Sequence, residues 1–296
     1  MYYVSALLYY CLFIPISILP FRVIYFLSDG LSWLLFNIIG YRKKEVFTQL
    51  RASFPEKSEI EIQMIARKFY SHLCDLLVES VKFFTISNQE TAQRLVCQNP
   101  EVVDDFARQG KSIVIAAGHY KNFEMAAMGV EICIEHHAIG LYKPLHNLFF
   151  DNRIRQSRSR LGIGLVSKPQ LKSFLGNELK TQPKPVAFLF AMDQSPAEPK
   201  NAHWITFLNQ ETGIQFGTEK YARDYNLPVI YGRIFKEKRG FYSFEFEVVS
   251  EKPKETKQGE ILEKMTQMLE ADIRRSPEYW LWSHRKWKYQ NPFINA

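Results

Sequence analysis

The chain has 296 residues, of which 46% are hydrophobic, and it carries a formal net charge of +7. This composition excludes an intrinsically disordered chain, because enough apolar surface is present to form a core, and the length suits one main domain. The positive charge indicates an acidic partner, for which anionic lipid head groups, an acidic carrier protein and nucleic acid all qualify. The four cysteines lack the spacing of a disulfide scaffold and the histidines lack zinc-type spacing, so we expect buried, reduced thiols and no bound metal.

The chain begins with an apolar segment. No charged residue occurs in residues 1–21, and residues 3–19 are close to the length that crosses a bilayer, which predicts a membrane anchor. Basic residues follow it, at Arg22 and Arg42, so the positive-inside rule places the remainder in the cytoplasm. The second apolar block, residues 23–41, is interrupted by polar residues and is predicted to lie at the interface or on the globular body. The alternatives are a cleaved signal peptide, which lacks its basic leader here, and two core helices of a soluble protein.

The remainder of the chain is predicted to be an α/β fold with a central mixed sheet covered by helices. We therefore divide the chain into an anchor with an interfacial helix, residues 1–45, and one globular domain, residues 46–296. Ser58 and Glu61 form a possible capping box for a long helix. After residue 100, short apolar runs alternate with helical stretches. Predicted strands occupy residues 112–117, 138–142, 186–192, 229–235 and 241–249, the last two as an antiparallel hairpin, and predicted helices occupy residues 58–84, 122–135, 147–161, 168–180, 218–225 and 260–274.

A histidine and a glutamate follow the first of these strands. Open α/β sheets carry their sites at the carboxyl ends of strands, and His119 falls there. Asn122 can cap the next helix, which places His119 in the turn and Glu124 in the first helical turn. Glu124 could then accept a hydrogen bond from one imidazole nitrogen and leave the other free to take a proton from a bound hydroxyl, which implies acyl transfer between two substrates. The alternative is a histidine that only caps a helix, with a surface glutamate.

Several motifs resemble one enzyme family. The heptapeptide from Gly118 to Glu124 resembles the His-x-x-x-x-Glu box of the glycerolipid acyltransferase superfamily, in the form typical of the lipid A biosynthesis late acyltransferases. Further similar motifs follow in the family's order: Tyr142-Lys143-Pro144-Leu145-His146-Asn147, Arg158-Ser159-Arg160, Asp193-Gln194 and Trp280-Leu281-Trp282-Ser283-His284-Arg285-Lys286-Trp287-Lys288. The resemblance extends from the apolar beginning to about Tyr289, which is nearly the whole chain.

The resemblance implies roles for particular residues. His119 would be the general base and Glu124 would orient it, while an arginine among positions 153, 155, 158 and 160 would stabilise an oxyanion or a phosphate. The residues expected to bind substrate are Asn122, Lys143, Arg155, Arg158, Arg160, Asp193 and Gln194. Lys121 and Lys143 depart from the family's usual glycine and arginine, so contacts with an acceptor phosphate are expected to differ.

For Asp193 and for three aromatic residues the sequence allows two interpretations, one functional and one structural. Asp193 could position the acceptor or bind Arg158, or it could be an ordinary turn aspartate. Trp204, Phe207 and Phe216 could line an acyl channel, but aromatic residues near a sheet are more often core.

The resemblance also implies a function. We expect transfer of a fatty acyl group from an acyl carrier protein thioester to a hydroxyl or amine of a membrane lipid precursor, as in lipid A late acylation. The enzyme would act at the cytoplasmic face of the inner membrane, without a cofactor. One alternative is an acyltransferase of the same superfamily acting on an aminolipid, a glycolipid or a polyene lipid. Others are a catalytically silent membrane-surface binding protein and a nucleic-acid binder, although no nucleic-acid-binding motif supports the last.

Overall fold

The computed structural model describes residues 2–196 and 198–293. Within them the chain forms a seven-stranded sheet, a two-stranded sheet and twelve α-helices. The α-helices are α1 (Tyr2–Leu8), α2 (Ile14–Ile18), α3 (Phe21–Leu34), α4 (Lys43–Ser53), α5 (Glu59–Lys82), α6 (Asn88–Arg94), α7 (Glu101–Arg108), α8 (Phe123–Cys133), α9 (Leu148–Ser159), α10 (Lys168–Ser173), α11 (Gly217–Tyr225) and α12 (Glu260–Arg275). The strands are β1 (Leu95–Cys97), β2 (Ile113–Ala117), β3 (His137–Tyr142), β4 (Gly164–Ser167), β5 (Val186–Ala191), β6 (Ala202–Phe207), β7 (Gln210–Gln215), β8 (Val229–Lys238) and β9 (Phe241–Ser250).

The main sheet is mixed and has the strand order β1-β9-β8-β2-β5-β3-β4. Strands β8, β2, β5, β3 and β4 run in the same direction. Strand β9 returns antiparallel to β8, and β1 pairs parallel with β9. Two apolar clusters cover the sheet, one with α3, α7 and α8 and the other with α4, α10, α11 and α12. The predicted fold class, a mixed α/β sheet covered by helices with an apolar helical beginning, is confirmed.

Most predicted elements occur where the sequence pattern places them. The Ser58–Glu61 capping box opens α5, and the β8–β9 hairpin is antiparallel. The prediction omitted four short strands, β1, β4, β6 and β7. The stretch predicted as a helix over residues 168–180 is helical but is not a single α-helix. Helix α10 ends at Ser173, and a π-helical turn, Phe174–Glu178, follows it. Gly176 lies inside this turn, where glycine weakens regular helix.

The two apolar blocks at the start form two separate helical stretches. The helical stretch Tyr2–Ile18 is too short to be a candidate span, and Phe21–Ile39 is the helix long and apolar enough to cross a membrane by length and composition. Pro20, which caps α3, separates them. The assignment of the span to residues 3–19 stays a prediction. The second block does pack on the globular body, as one predicted alternative has it, since Ser28 donates to Asp75 at 2.8 Å.

The cysteines also differ from the prediction. Cys97 at the end of β1 and Cys133 at the end of α8 form a disulfide, with their Cα atoms 5.9 Å apart. Cys74 is a buried free thiol, as expected, and burial raises its pKa to about 12. Cys11 is a free thiol but exposed. The disulfide joins residues 36 positions apart, which the packing of α8 against β1 brings together. The spacing of the cysteines in the sequence does not reveal this pairing.

Candidate active site

Two neighbouring strands of the sheet end at the same point. Strands β2 and β5 are parallel, with Ala117 opposite Ala191, and each is followed two residues later by a titratable side chain. These side chains are His119 after β2 and Asp193 after β5. The parallel register therefore brings a histidine and an aspartate together at the carboxyl edge of the sheet, where open α/β folds carry their sites.

Asp193 holds the imidazole of His119 by direct hydrogen bonding. The His119 Nδ1 atom is 2.6 Å from Asp193 Oδ1, and the His119 backbone N–H donates to Oδ2 at 2.9 Å. The indole N–H of Trp280 donates to the same Oδ2 at 2.8 Å. Burial alone would raise the pKa of Asp193, but His119, Lys286 and Trp280 outweigh it and hold that pKa well below its usual range.

The contact with Asp193 also determines the direction in which the pKa of His119 is shifted. Burial disfavours the imidazolium of His119, but the adjacent Asp193 carboxylate outweighs this effect and raises the pKa of His119. The ionised carboxylate favours a proton on Nδ1, which leaves Nε2 as the basic nitrogen. The pair therefore has the geometry of a base and its orienting carboxylate.

Glu124 has a different partner from the one predicted. Its two carboxylate oxygens accept hydrogen bonds from Nη2 of Arg158, at 2.9 and 2.7 Å. The Asn122 side chain caps α8 as expected, so Glu124 lies in the first helical turn and binds an arginine of α9. The structure thus gives the hydrogen bond on Nδ1 of His119 to Asp193 and not to Glu124. It also pairs Arg158 with Glu124 and not with Asp193.

The remaining predicted substrate-binding residues are spread over several environments. Asn122 is buried, and its amide also contacts Glu79. Arg160 donates to the Phe83 carbonyl at 2.8 Å, and Arg155 lies 5.7 Å from the ring centre of Tyr142. Asn122 and Arg160 thus make contacts within the protein, and their role in substrate binding stays a prediction.

Two of the predicted residues remain close to the histidine or to an open cavity. Gln194 Nε2 is 3.4 Å from His119 Nε2, so its amide borders the basic nitrogen. Lys143 follows β3 and is exposed at the rim of a cavity that Gln194 also lines.

A largely apolar cavity of about 160 Å³ begins at this site, and we call it the acyl cavity. Its polar lining comes from His119, Glu124 and Arg158, and the rest is almost entirely hydrocarbon. The apolar lining includes Ile115, Phe123, Ala126, Ala127, Met128, Val130, Leu141, Ile163, Leu165, Leu189, Phe190, Ile234 and Phe244. The lining includes Ile115 in the middle of β2 as well as His119 after that strand, so the cavity runs inward from the carboxyl edge of the sheet.

Of the three aromatic residues predicted as channel or core, Phe207 and Phe216 pack in the core, and Trp204 is partly buried. Phe207 is fully buried against Trp280 and Trp287, with ring centres 5.7 and 6.4 Å apart. Phe216 packs against the same core cluster, and none of Trp204, Phe207 and Phe216 lines the acyl cavity.

The tryptophan-rich end contributes residues that the sequence prediction omitted. Trp280 binds Asp193, and Lys286 is only 3% exposed, with Nζ 3.4 Å from the Gln194 carbonyl. Burial lowers the pKa of Lys286 to about 8, although the Asp193 carboxylate opposes this effect. The signal in the sequence was the cluster of aromatic and basic residues itself. It does not show where in the fold these residues lie.

The sequence predicts that the protein binds no metal. Within residues 2–196 and 198–293, the structure brings no group of three or more His, Cys, Asp or Glu side chains into an arrangement that could hold a metal ion. The expectation of a metal-free site stays a prediction.

A histidine at a strand end, above a hydrocarbon-lined cavity in an α/β fold, is the arrangement expected of an enzyme whose substrate has a long apolar chain. The family model described as bacterial lipid A biosynthesis acyltransferase matches residues 1–289, and the chain belongs to that family. The protein is therefore an acyltransferase.

Named relatives are distant but cover most of the chain. The chain is 23% identical over 275 residues to a lipid A biosynthesis lauroyltransferase of Escherichia coli (strain K12), covering 91% of this chain and 87% of the relative. It is 20% identical over 272 residues to a lipid A biosynthesis palmitoleoyltransferase of the same organism, covering 91% and 86%. A lipid A biosynthesis acyltransferase of Shigella flexneri matches with the same identity and coverage.

Proposed function

We propose that the protein transfers a fatty acyl chain from an acyl carrier protein thioester to a hydroxyl of a lipid A precursor. The observation that carries this proposal is the position of the His119–Asp193 pair at the mouth of the acyl cavity. An acyl chain in that cavity would present its thioester carbonyl beside Nε2. The family membership supports a lipid acceptor, and the relatives' names support lipid A.

The reaction follows from the state of the imidazole. Nε2 of His119 accepts the proton of the acceptor hydroxyl while the hydroxyl oxygen forms a bond to the thioester carbonyl carbon. The tetrahedral intermediate then collapses, the carbon–sulfur bond breaks, and the imidazolium returns its proton to the leaving thiolate. Asp193 stabilises the imidazolium formed between these two steps. Atoms and charges balance, because the products are an acylated acceptor and a free thiol.

Glu124 and Arg158 take a separate role in this proposal. They form an ion pair at the mouth of the acyl cavity, about a quarter exposed on each side. Both hydrogen bonds to Glu124 use Nη2 of Arg158, so Nη1 and Nε of the guanidinium lie outside this ion pair. We assign to Arg158, among the four arginines of this stretch, the stabilisation of the carbonyl oxygen as it gains charge.

The acyl cavity should set the preferred chain length. Ala127 lies on its wall, and Ala127→Leu would fill part of the volume. We expect the preferred donor to become shorter, because methylenes displaced from the cavity lose about 0.8 kcal/mol each. The measurement is competition between carrier-bound acyl groups of different length, with Ala107→Leu on α7 as the control of equal chemistry. Unchanged length preference in Ala127→Leu would place the acyl chain elsewhere.

Activity should depend on the charge state of His119. The raised pKa of this group predicts that kcat/KM falls on acidification around a midpoint above the ordinary 6.5, because only neutral imidazole accepts a proton. Lys286 lowers the pKa of His119, so Lys286→Met should move this acidic midpoint to higher pH. Lys286→Arg should keep it, and Lys288→Met, at an exposed position, is the matched control. An unmoved midpoint in Lys286→Met would exclude this electrostatic coupling.

The proposed location is the cytoplasmic face of the inner membrane. The helix Phe21–Ile39 is a candidate span, and exposed apolar side chains such as Tyr3, Phe26 and Trp33 face outward from the first two helical stretches. Residues 1–45 would hold the enzyme at the lipid surface, and residues 46–296 would form the acyltransferase domain. The basic net charge suits both anionic lipid and an acidic carrier protein.

Mass spectrometry of total lipids tests the function in the host. A strain that lacks the protein is restored with the intact chain or with His119→Asn. We expect a lipid A species that lacks one acyl chain to be corrected only by the intact protein. Restoration by both chains would contradict catalysis and favour a binding role, and a change in another lipid class would name a different acceptor.

A further inference from the structure

A second cavity adjoins the acyl cavity, and we call it the basic cavity. It measures about 310 Å³ and shares Leu141, Phe190 and Ala191 of its wall with the acyl cavity. The two cavities therefore meet at the carboxyl ends of β3 and β5. The polar wall of the basic cavity includes Lys143, Lys168, Gln194 and Gln215.

The charges that line this cavity have one sign. Among the residues that the structure describes, Lys143 and Lys168 are the charged residues that line it, and no aspartate or glutamate does. Two further cavities of comparable or larger size carry acids in their walls, Asp224 in one and Glu263 and Glu270 in the other. Among described residues, the lysines within 4.0 Å of a carboxylate are Lys57, Lys220, Lys236 and Lys252, so neither cavity lysine is neutralised in this way.

One residue, Gln194, connects the basic cavity with the reacting nitrogen. Gln194 lines it, and the amide nitrogen of this side chain is 3.4 Å from Nε2 of His119. A substrate group bound between the lysines would thus have its neighbouring atoms beside the base, while the acyl chain occupies the other cavity. A smaller space of about 40 Å³, lined by His119, Trp280 and His284, has too little volume for a sugar-sized group.

We infer that the basic cavity binds a phosphate ester of one of the two substrates, held by Lys143 and Lys168. This inference rests on the proposed function and deepens it. Lysine ammonium groups attract phosphate as point charges, and the amide of Gln194 supplies a further donor. Gln215 positions one of the lysines, since its Oε1 accepts from Lys168 Nζ at 3.5 Å. Two sources share this chemistry, the phosphorylated head of the lipid acceptor and the phosphopantetheine arm of the carrier-bound donor.

Steady-state kinetics of purified variants test the inference. Lys143→Ala and Lys168→Ala each remove one charge at an exposed position, and Lys172→Ala on α10 removes an exposed lysine outside the cavity wall. We expect each cavity variant to raise one substrate's KM about tenfold, with kcat little changed. Lys143→Arg should retain most of the affinity, and Lys172→Ala should match the wild type.

The substrate that responds identifies the source of the phosphate. A rise in the acceptor's KM, absent with a dephosphorylated acceptor, assigns the cavity to the lipid head. A rise in the donor's KM, absent with an acyl-pantetheine donor that lacks the phosphate, assigns it to the carrier arm. Unchanged KM for both substrates, or an equal rise with and without the phosphate, would overturn the inference.

A binding measurement separates this inference from the proposed reaction. The same lysine substitutions are placed in a His119→Asn chain, and binding of the phosphorylated and dephosphorylated acceptor and of the two donors is measured by calorimetry. Phosphate-dependent binding that weakens with the lysine changes supports the cavity even where the wild type shows no acyl transfer. Phosphate-independent binding rejects the cavity even where acyl transfer is established.

Discussion

Replacement of His119 by asparagine should lower the rate of acyl transfer by about 10³- to 10⁴-fold, because the reaction loses its base. Asparagine can still donate a hydrogen bond to Asp193, so the buried carboxylate keeps a partner and the fold is retained. The measurement is kcat with purified protein, a carrier-bound acyl donor and a lipid A precursor.

Folding and the choice of histidine need separate controls. His146→Asn changes an exposed histidine in the neighbouring loop and should leave the rate unchanged. Thermal unfolding of both variants should resemble the wild type. Residual activity within tenfold of the wild type in a folded His119→Asn protein would remove His119 from the reaction.

Asp193→Asn should lower kcat by about 10³-fold or more, because an amide no longer fixes the proton on Nδ1. The imidazole can then present a protonated Nε2, which is the wrong tautomer for a base. Asp224→Asn on α11 removes an exposed carboxylate and serves as the matched control. Activity near the wild-type value in Asp193→Asn would leave the imidazole without the proposed orienting group.

Double substitutions distinguish Asp193 from Glu124 as the partner of His119. Glu124 contacts Arg158, so Glu124→Gln combined with Arg158→Gln should cost no more than the worse single change. Glu124→Gln combined with Asp193→Asn should cost the sum of both effects in free energy. Additivity in the first pair together with non-additivity in the second would restore the role that the local sequence motif predicts.

The sequence predicts features that depend on local order along the chain. The apolar run of β2, the Asn122 cap and the capping box of α5 are each contained within a few residues, and the structure has all three. Strand β4 is only four residues long and begins with glycine, so its pattern is too short to recognise. Strands β6 and β7 mix polar and apolar residues and form a separate two-stranded sheet.

The site is harder to predict because its partners are distant in sequence. His119 and Asp193 are 74 positions apart, and Trp280 lies a further 87 positions beyond Asp193. The spacing of His119 and Glu124 favoured a local pair, while the parallel register of β2 and β5 supplied a closer partner. The burial of Lys286 could not be predicted, since it depends on contacts with Gln194 and with Gln49 of α4.

The contacts of the tryptophan-rich end have a consequence for how the enzyme is made. Gln49 donates to the carbonyl of Trp282 and accepts from the backbone N–H of Lys286, so an early helix fixes this late segment. Translation completes α4 well before Trp280 and Lys286 are made. In the proposed mechanism a growing chain therefore lacks the residues that surround Asp193, and we expect activity only after translation has passed Lys286.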